Sequence, residues 1–168
     1  MKLRYANPAN AGYLSNIVMD EFWEEVRKRT NGEIVCERFW GTLGGEQTLL
    51  NGVALGTLDG YHGAYTGMRE FDIFYYPNLF RDYEQATRVI NGPLRAKLQD
   101  AIEKKYKCQL LGLGRAGVFG LQTKDKLNSW GDLKAKKIRG GQIEGIIEGI
   151  KAVGANAVPM AFNEVYTA

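Results

Sequence analysis

Short apolar runs alternate with segments of helical period along nearly the whole chain. That alternation restricts the fold to βαβ units around a mostly parallel sheet, in the α/β class. Residues 2–6 predict a first strand. From Tyr13 to Arg29, Leu14, Ile17, Val18, Phe22 and Val26 recur at the period of an amphipathic helix, and Asn31-Gly32 supplies a left-handed stop. Residues 33–39 predict a second strand, 46–55 a short helix and 57–62 a third strand. Asp82 to Asn91 reads as helical, Gly92-Pro93 breaks it, and Pro93 opens another helix to Tyr106. The aromatic-rich stretch from Tyr65 to Phe80 has no clear period.

Residues 108–113 predict a strand, after which the pattern restarts. Strands are expected at 118–123, 136–139 and 155–158, and a short helix at 129–133. Ile143, Ile146, Ile147, Ile150 and Val153 share one face of a further helix, and a last one begins near Asn163. The strands at 2–6, 33–39 and 57–62 should lie in one sheet, those at 136–139 and 155–158 in another. Gly112, Gly114 and Gly117 mark the handover, so a domain boundary is expected at about residue 115. The chain stops inside the first turns of its last helix, an ending expected of a truncated piece.

Composition narrows the function classes. With 45% hydrophobic and 24% charged residues among 168, the chain is a folded one. A net charge of +3 is too small to argue for nucleic acid. No run of 18 apolar residues is present to span a membrane as a helix. Met1 leads straight into a strand-like segment, so cytoplasmic residence and a leader already removed both stay open. Cys36 and Cys108 are expected as buried free thiols.

Chemical motifs are few. Gly112 to Gly117 fits G-x-G-x-x-G, but a strand pattern follows where a dinucleotide site needs a helix N-terminus. One histidine and two distant cysteines do not make a zinc site or argue for a Cys–His nucleophile. No G-x-S-x-G elbow or phosphate loop occurs, so neither catalysis nor a cofactor or metal is expected. Position says more. Ligands of open α/β sheets bind beyond the carboxyl ends of the strands. Asn7, then His62, Ala64 and Tyr65, then Arg139, then Phe162 stand at such ends. Arg139 has no acid nearby in sequence, and a guanidinium grips a carboxylate through two parallel hydrogen bonds. An organic anion is the ligand this pattern suits.

Several motifs carry a family resemblance along the whole chain: Arg29-Thr30-Asn31-Gly32, Leu43-Gly44-Gly45-Glu46, Gly56-Thr57-Leu58-Asp59, Tyr76 to Asp82, Leu133 to Arg139 and, most specific, Val153 to Ala168. With them the chain resembles the solute-binding proteins of TRAP transporters (tripartite ATP-independent periplasmic), the DctP family. The resemblance implies a type II periplasmic-binding-protein fold of two lobes. Residues 1–115 would form most of lobe one, and 116–168 the start of lobe two. It implies an extracytoplasmic receptor, not an enzyme, that closes on a small organic acid and delivers it to the membrane subunits of the transporter. Arg139 would pair with the ligand carboxylate, and Asn7, Ala64, Tyr65, Phe119, Gln142 and Phe162 would line the cleft. Phe119 stands where some members carry a second arginine, which favours a monocarboxylate with an apolar part. Gly140-Gly141 stands where valine and proline are common. Periplasmic residence follows from the same resemblance. An enzyme on the same fold and a ligand-sensing module of a signalling protein are the alternatives.

Overall fold

The computed structural model describes residues 1–114, 117 and 119–167. Two sheets form, with the strands distributed between them as the restart of the pattern implies. The first has β1 (Lys2–Asn7) in the middle, β2 (Val35–Trp40) on one side and β3 (Gly60–Tyr61) on the other, all parallel. The second pairs β4 (Lys137–Gly140) with β5 (Asn156–Pro159), also parallel.

By packing, the chain divides into two compact units. The first comprises Met1–Thr66, Lys104–Cys108 and residues 161–167. Its helices are α1 (Leu14–Arg29) and α2 (Glu46–Ala54). α1 ends as Asn31 and Gly32 adopt positive φ (49° and 81°) and Gly32 N–H donates to the Arg27 carbonyl at 2.8 Å. This is the expected left-handed stop. α2 buries Leu49 and Leu50, and Leu49 packs with Ala6 of β1 and Leu58, flanked by Phe39, Val53 and Tyr61. Burying side chains of this size contributes about 1.5–3 kcal/mol each.

The second unit comprises Gly67–Glu103 and the described residues of Gln109–Met160. The unperiodic aromatic stretch becomes α3 (Arg69–Asp72) and a 3-10 turn at Ile73–Tyr75. α4 (Tyr83–Ile90) is capped by the Asp82 carboxylate, which accepts from Gln85 N–H at 2.7 Å. α5 is Leu94–Tyr106, whose last residues belong to the first unit. A 3-10 turn at Trp130–Leu133 is closed by a Ser129–Asp132 capping box.

α6 (Glu144–Ala152) has two working faces. Ile146, Ile147 and Ile150 reach the space over Gly140 of β4. On the other face Gly145 and Gly149 lie four residues apart against Asp72, Tyr76 and Pro77. A Cβ at Gly145 would stand 2.6 Å from the Asp72 carbonyl oxygen. This close packing groups Gly67–Glu103 with Gln109–Met160, so the packing units do not follow a single division at residue 115.

Three strand expectations are corrected. Residues 57–62 contribute only Gly60 and Tyr61 to the sheet. Residues 108–113 and the described residues of 118–123 are not strands, and Val118 lies outside the described residues. The 108–113 run is instead tethered by a side chain: Leu110 N–H donates to Gln99 Oε1 at 2.7 Å. An extended run becomes a strand only when a neighbour accepts its ladder of hydrogen bonds, and among the described residues none does.

Candidate functional site

In the first unit the carboxyl ends of β1, β2 and β3 make a rim, and the loops beyond it are fixed by side chains. Asn7 is 5% exposed at the end of β1. Its Nδ2 donates to the His62 carbonyl at 2.6 Å, and its Oδ1 accepts from Ala9 N–H at 2.7 Å. Asn16, fully buried in α1, donates from Nδ2 to the carbonyls of Ala9 and Asn10. Together they hold the loop from Asn7 to Tyr13. Beyond β3, the Tyr61 hydroxyl donates to the Ala64 carbonyl at 2.7 Å, and the Tyr65 ring meets the Tyr61 ring edge-on. Burial pushes the Tyr65 hydroxyl up to about 12, so it stays protonated across the physiological range. Phe162 is half exposed and meets Tyr13 edge-on with centroids 6.0 Å apart.

Four of the seven expected ligand residues therefore fall in this unit: Asn7, Ala64, Tyr65 and Phe162. Asn7 differs from the expectation in one respect. Its Nδ2 and its Oδ1 each already make a hydrogen bond within the rim, so it also braces that rim. Sequence spacing gives no sign of the Tyr13–Phe162 ring contact, which joins residues far apart in the chain.

The other three belong to the second unit. Arg139 lies exposed on β4, paired in register with Val158 of β5. Its Nη2 donates to the Met160 carbonyl at 2.6 Å, and among the described residues it forms no ion pair. One carbonyl thus orients the guanidinium without neutralising it, which leaves its charge available to an anion. Gln142 is exposed just before α6. Phe119 is 71% exposed, with the Tyr75 ring 5.8 Å away. Among the described residues no group of three or more His, Cys, Asp or Glu is arranged to hold a metal. Nor is any described helix long and apolar enough to cross a membrane. Cys36 and Cys108 are free thiols, each half buried, not fully. Burial pushes Cys36 up to about 11 and raises Cys108 as well.

The architecture is an α/β periplasmic-binding fold. It superposes on a TRAP periplasmic solute-binding protein from Citrobacter koseri, solved with bound D-glucuronate, with a TM-score of 0.87 at 24% identity. That match covers 99% of this chain and 58% of the other. A second such protein, from Xanthobacter autotrophicus with bound β-D-galacturonate, matches at 29% identity and a TM-score of 0.83, covering 98% and 57%. The 2,3-diketo-L-gulonate-binding periplasmic protein YiaO of Escherichia coli is 30% identical over 98% of this chain and 52% of its own length. The family model for bacterial extracellular solute-binding proteins, family 7 (DctP), matches residues 6–168, and the chain belongs to that family. It spans about half the length of the curated relatives it matches.

Proposed function

We propose that the chain is part of a periplasmic receptor that captures a small organic acid and delivers it to the membrane subunits of a TRAP-type transporter. The observation that carries this reading is Arg139. It is an exposed guanidinium, without an ion-pair partner among the described residues, oriented by the Met160 carbonyl near a strand's carboxyl end, in a chain of this family. The ligand carboxylate pairs with Arg139. Phe119 and Phe162, both exposed, offer apolar walls, and Gln142 offers an amide. Ala64 and Tyr65 lie on the rim that Asn7 braces.

In this proposal residues 1–115 form most of one lobe and 116–168 begin the other. The packing of Asp72–Pro77 on α6 then joins the two. The receptor works by hinge closure around its ligand, and the relatives with bound uronates make a sugar acid the first class to try.

Thermal denaturation with D-galacturonate, D-glucuronate and uncharged D-galactose tests the reading. A ligand that binds only the folded state stabilises it by RT ln(1 + [L]/Kd), about 2.7 kcal/mol at a hundredfold excess over Kd. The acids should raise the melting temperature and galactose should not. An equal shift with galactose, or none with either acid, contradicts the carboxylate assignment.

A further inference from the structure

His62 is the one histidine in the sequence, and the ligand contacts proposed above do not use it. Its main chain is tied to β1 twice: His62 N–H donates to the Ala6 carbonyl at 3.2 Å, and its carbonyl accepts from Asn7 Nδ2 at 2.6 Å. Its ring stacks on Tyr5 (centroids 5.5 Å, planes 18° apart) and meets Trp40 of β2 edge-on at 5.6 Å. Nε2 lies 3.2 Å from Ser15 Oγ in the first turn of α1. One side chain thus touches β1, β2 and α1 where the rim is formed.

We propose that His62 is a positioning residue whose neutral ring braces the rim that carries Asn7, Ala64 and Tyr65, and that protonation of the ring releases this brace. The proposal rests on the reading of that rim as ligand-facing.

The ring's other nitrogen, Nδ1, is sealed from solvent and has no hydrogen-bond partner among the described residues. A buried lone pair without a donor costs less than a buried N–H without an acceptor. The favoured neutral tautomer therefore carries its proton on Nε2 and donates to Ser15. Protonation must put a proton on Nδ1, where none of the described residues accepts it.

The charged groups of the surrounding elements do not compensate. Asp20 of α1 accepts from Trp40 Nε1 and pairs with Arg38 of β2 at 3.3 Å. Arg4 N–H of β1 donates to Asp59, ahead of β3. Tyr5 is neutral, its hydroxyl pushed far up by burial first and then by Tyr65 and Cys36. Burial likewise holds the His62 imidazole below its ordinary 6.5. The sign follows. The unfolded chain takes up this proton at higher pH than the folded one. The brace is therefore complete above 6.5 and is lost as pH falls below it.

Nuclear magnetic resonance of the full chain, titrated from pH 7.5 to 5, tests this without any ligand. Failure of the receptor reading and failure of this one are therefore distinguishable. With one histidine, the Cε1–H signal is unambiguous. Its midpoint should fall below 6.5, and the Asn7 side-chain and Ala9 backbone amide signals should move with that same midpoint. In His62→Gln those two signals should stay still over the range. A midpoint at or above 6.5 would overturn the proposal. So would Asn7 and Ala9 signals that ignore the His62 titration, or that titrate unchanged in His62→Gln. The wild-type titration alone decides the matter should the variant not fold.

Discussion

Replacing Asn7 with alanine removes two hydrogen bonds inside a site that is 5% exposed. The two partners are backbone groups, the His62 carbonyl and the Ala9 N–H. A neutral hydrogen bond contributes a net ~0.5–1.5 kcal/mol, and a buried group left unsatisfied costs ~1–3 kcal/mol. Water reaching Ala9 N–H through the new gap offsets part of this, so the expected loss is about 2–4 kcal/mol. With a urea dependence on the order of 2 kcal/mol per molar, the unfolding midpoint should drop by about 1–2 M at unchanged slope. Asn7→Asp is the sharper variant. It keeps the acceptor for Ala9 but sets a carboxylate oxygen where an amide N–H faced the His62 carbonyl at 2.6 Å. Like partial charges at that distance repel, so Asp should cost at least as much as Ala despite its closer shape. Urea unfolding followed by tryptophan fluorescence, with Trp23 and Trp40 close to Tyr5, reports on this unit. A drop below about 0.5 kcal/mol in both variants, the scatter of ordinary surface changes, would refute Asn7 as the brace of the rim.

Gly145→Leu should cost on the order of 1–3 kcal/mol, because its Cβ would stand 2.6 Å from the backbone oxygen of Asp72, which cannot swing away as a side chain can. Calorimetric melting of this variant beside Gly131→Ala, where only the Ser129 hydroxyl approaches, at 3.4 Å, checks it. The Asp132 carboxyl is held below its ordinary 3.8 by the N–H groups of Asn128 and Ser129 and by the Ser129 hydroxyl. Its capping turn should therefore persist above 3.8 and be lost as pH falls below it, readable in the chemical shifts of those two amides. With its thiol near 11, Cys36 should react far more slowly with a disulfide reagent at pH 8 in the folded chain than in denaturant. Equal rates in the two states would contradict its burial.

β1, β2 and β4 were legible in the sequence because each is followed by a helical segment, as Leu3 and Tyr5 of β1 are by the periodic run from Leu14 to Val26. What failed was pairing. Residues 108–113 show the right composition for a strand, but composition does not say whether a neighbour will complete the ladder. α6 was half legible: its isoleucines announced a buried face, while Gly145 and Gly149 gave no sign that a backbone would approach them. Arg139 stands out in the sequence by its place at a strand end and the lack of nearby acids, and the structure shows it exposed, with one bond to the Met160 carbonyl. The brace formed by Asn7, Ser15 and His62 does not, since it joins residues 47 and 55 positions apart through the sheet.

The receptor reading depends most directly on whether Arg139 holds a carboxylate. Isothermal titration of D-galacturonate into the wild type, Arg139→Ala and Arg139→Lys decides it. Truncating one partner of an enclosed charge pair costs ~2–5 kcal/mol, a loss of about 30- to 4,000-fold in affinity. An ion pair left open to water is worth only ~0–1 kcal/mol, about fivefold at most. Alanine should lose affinity in the larger range, and lysine in part, since it keeps the charge but not the two-pronged geometry. Among the described residues the exposed side chain gives up only its bond to Met160, so the fold should remain intact. Undiminished affinity in Arg139→Ala would contradict the assignment.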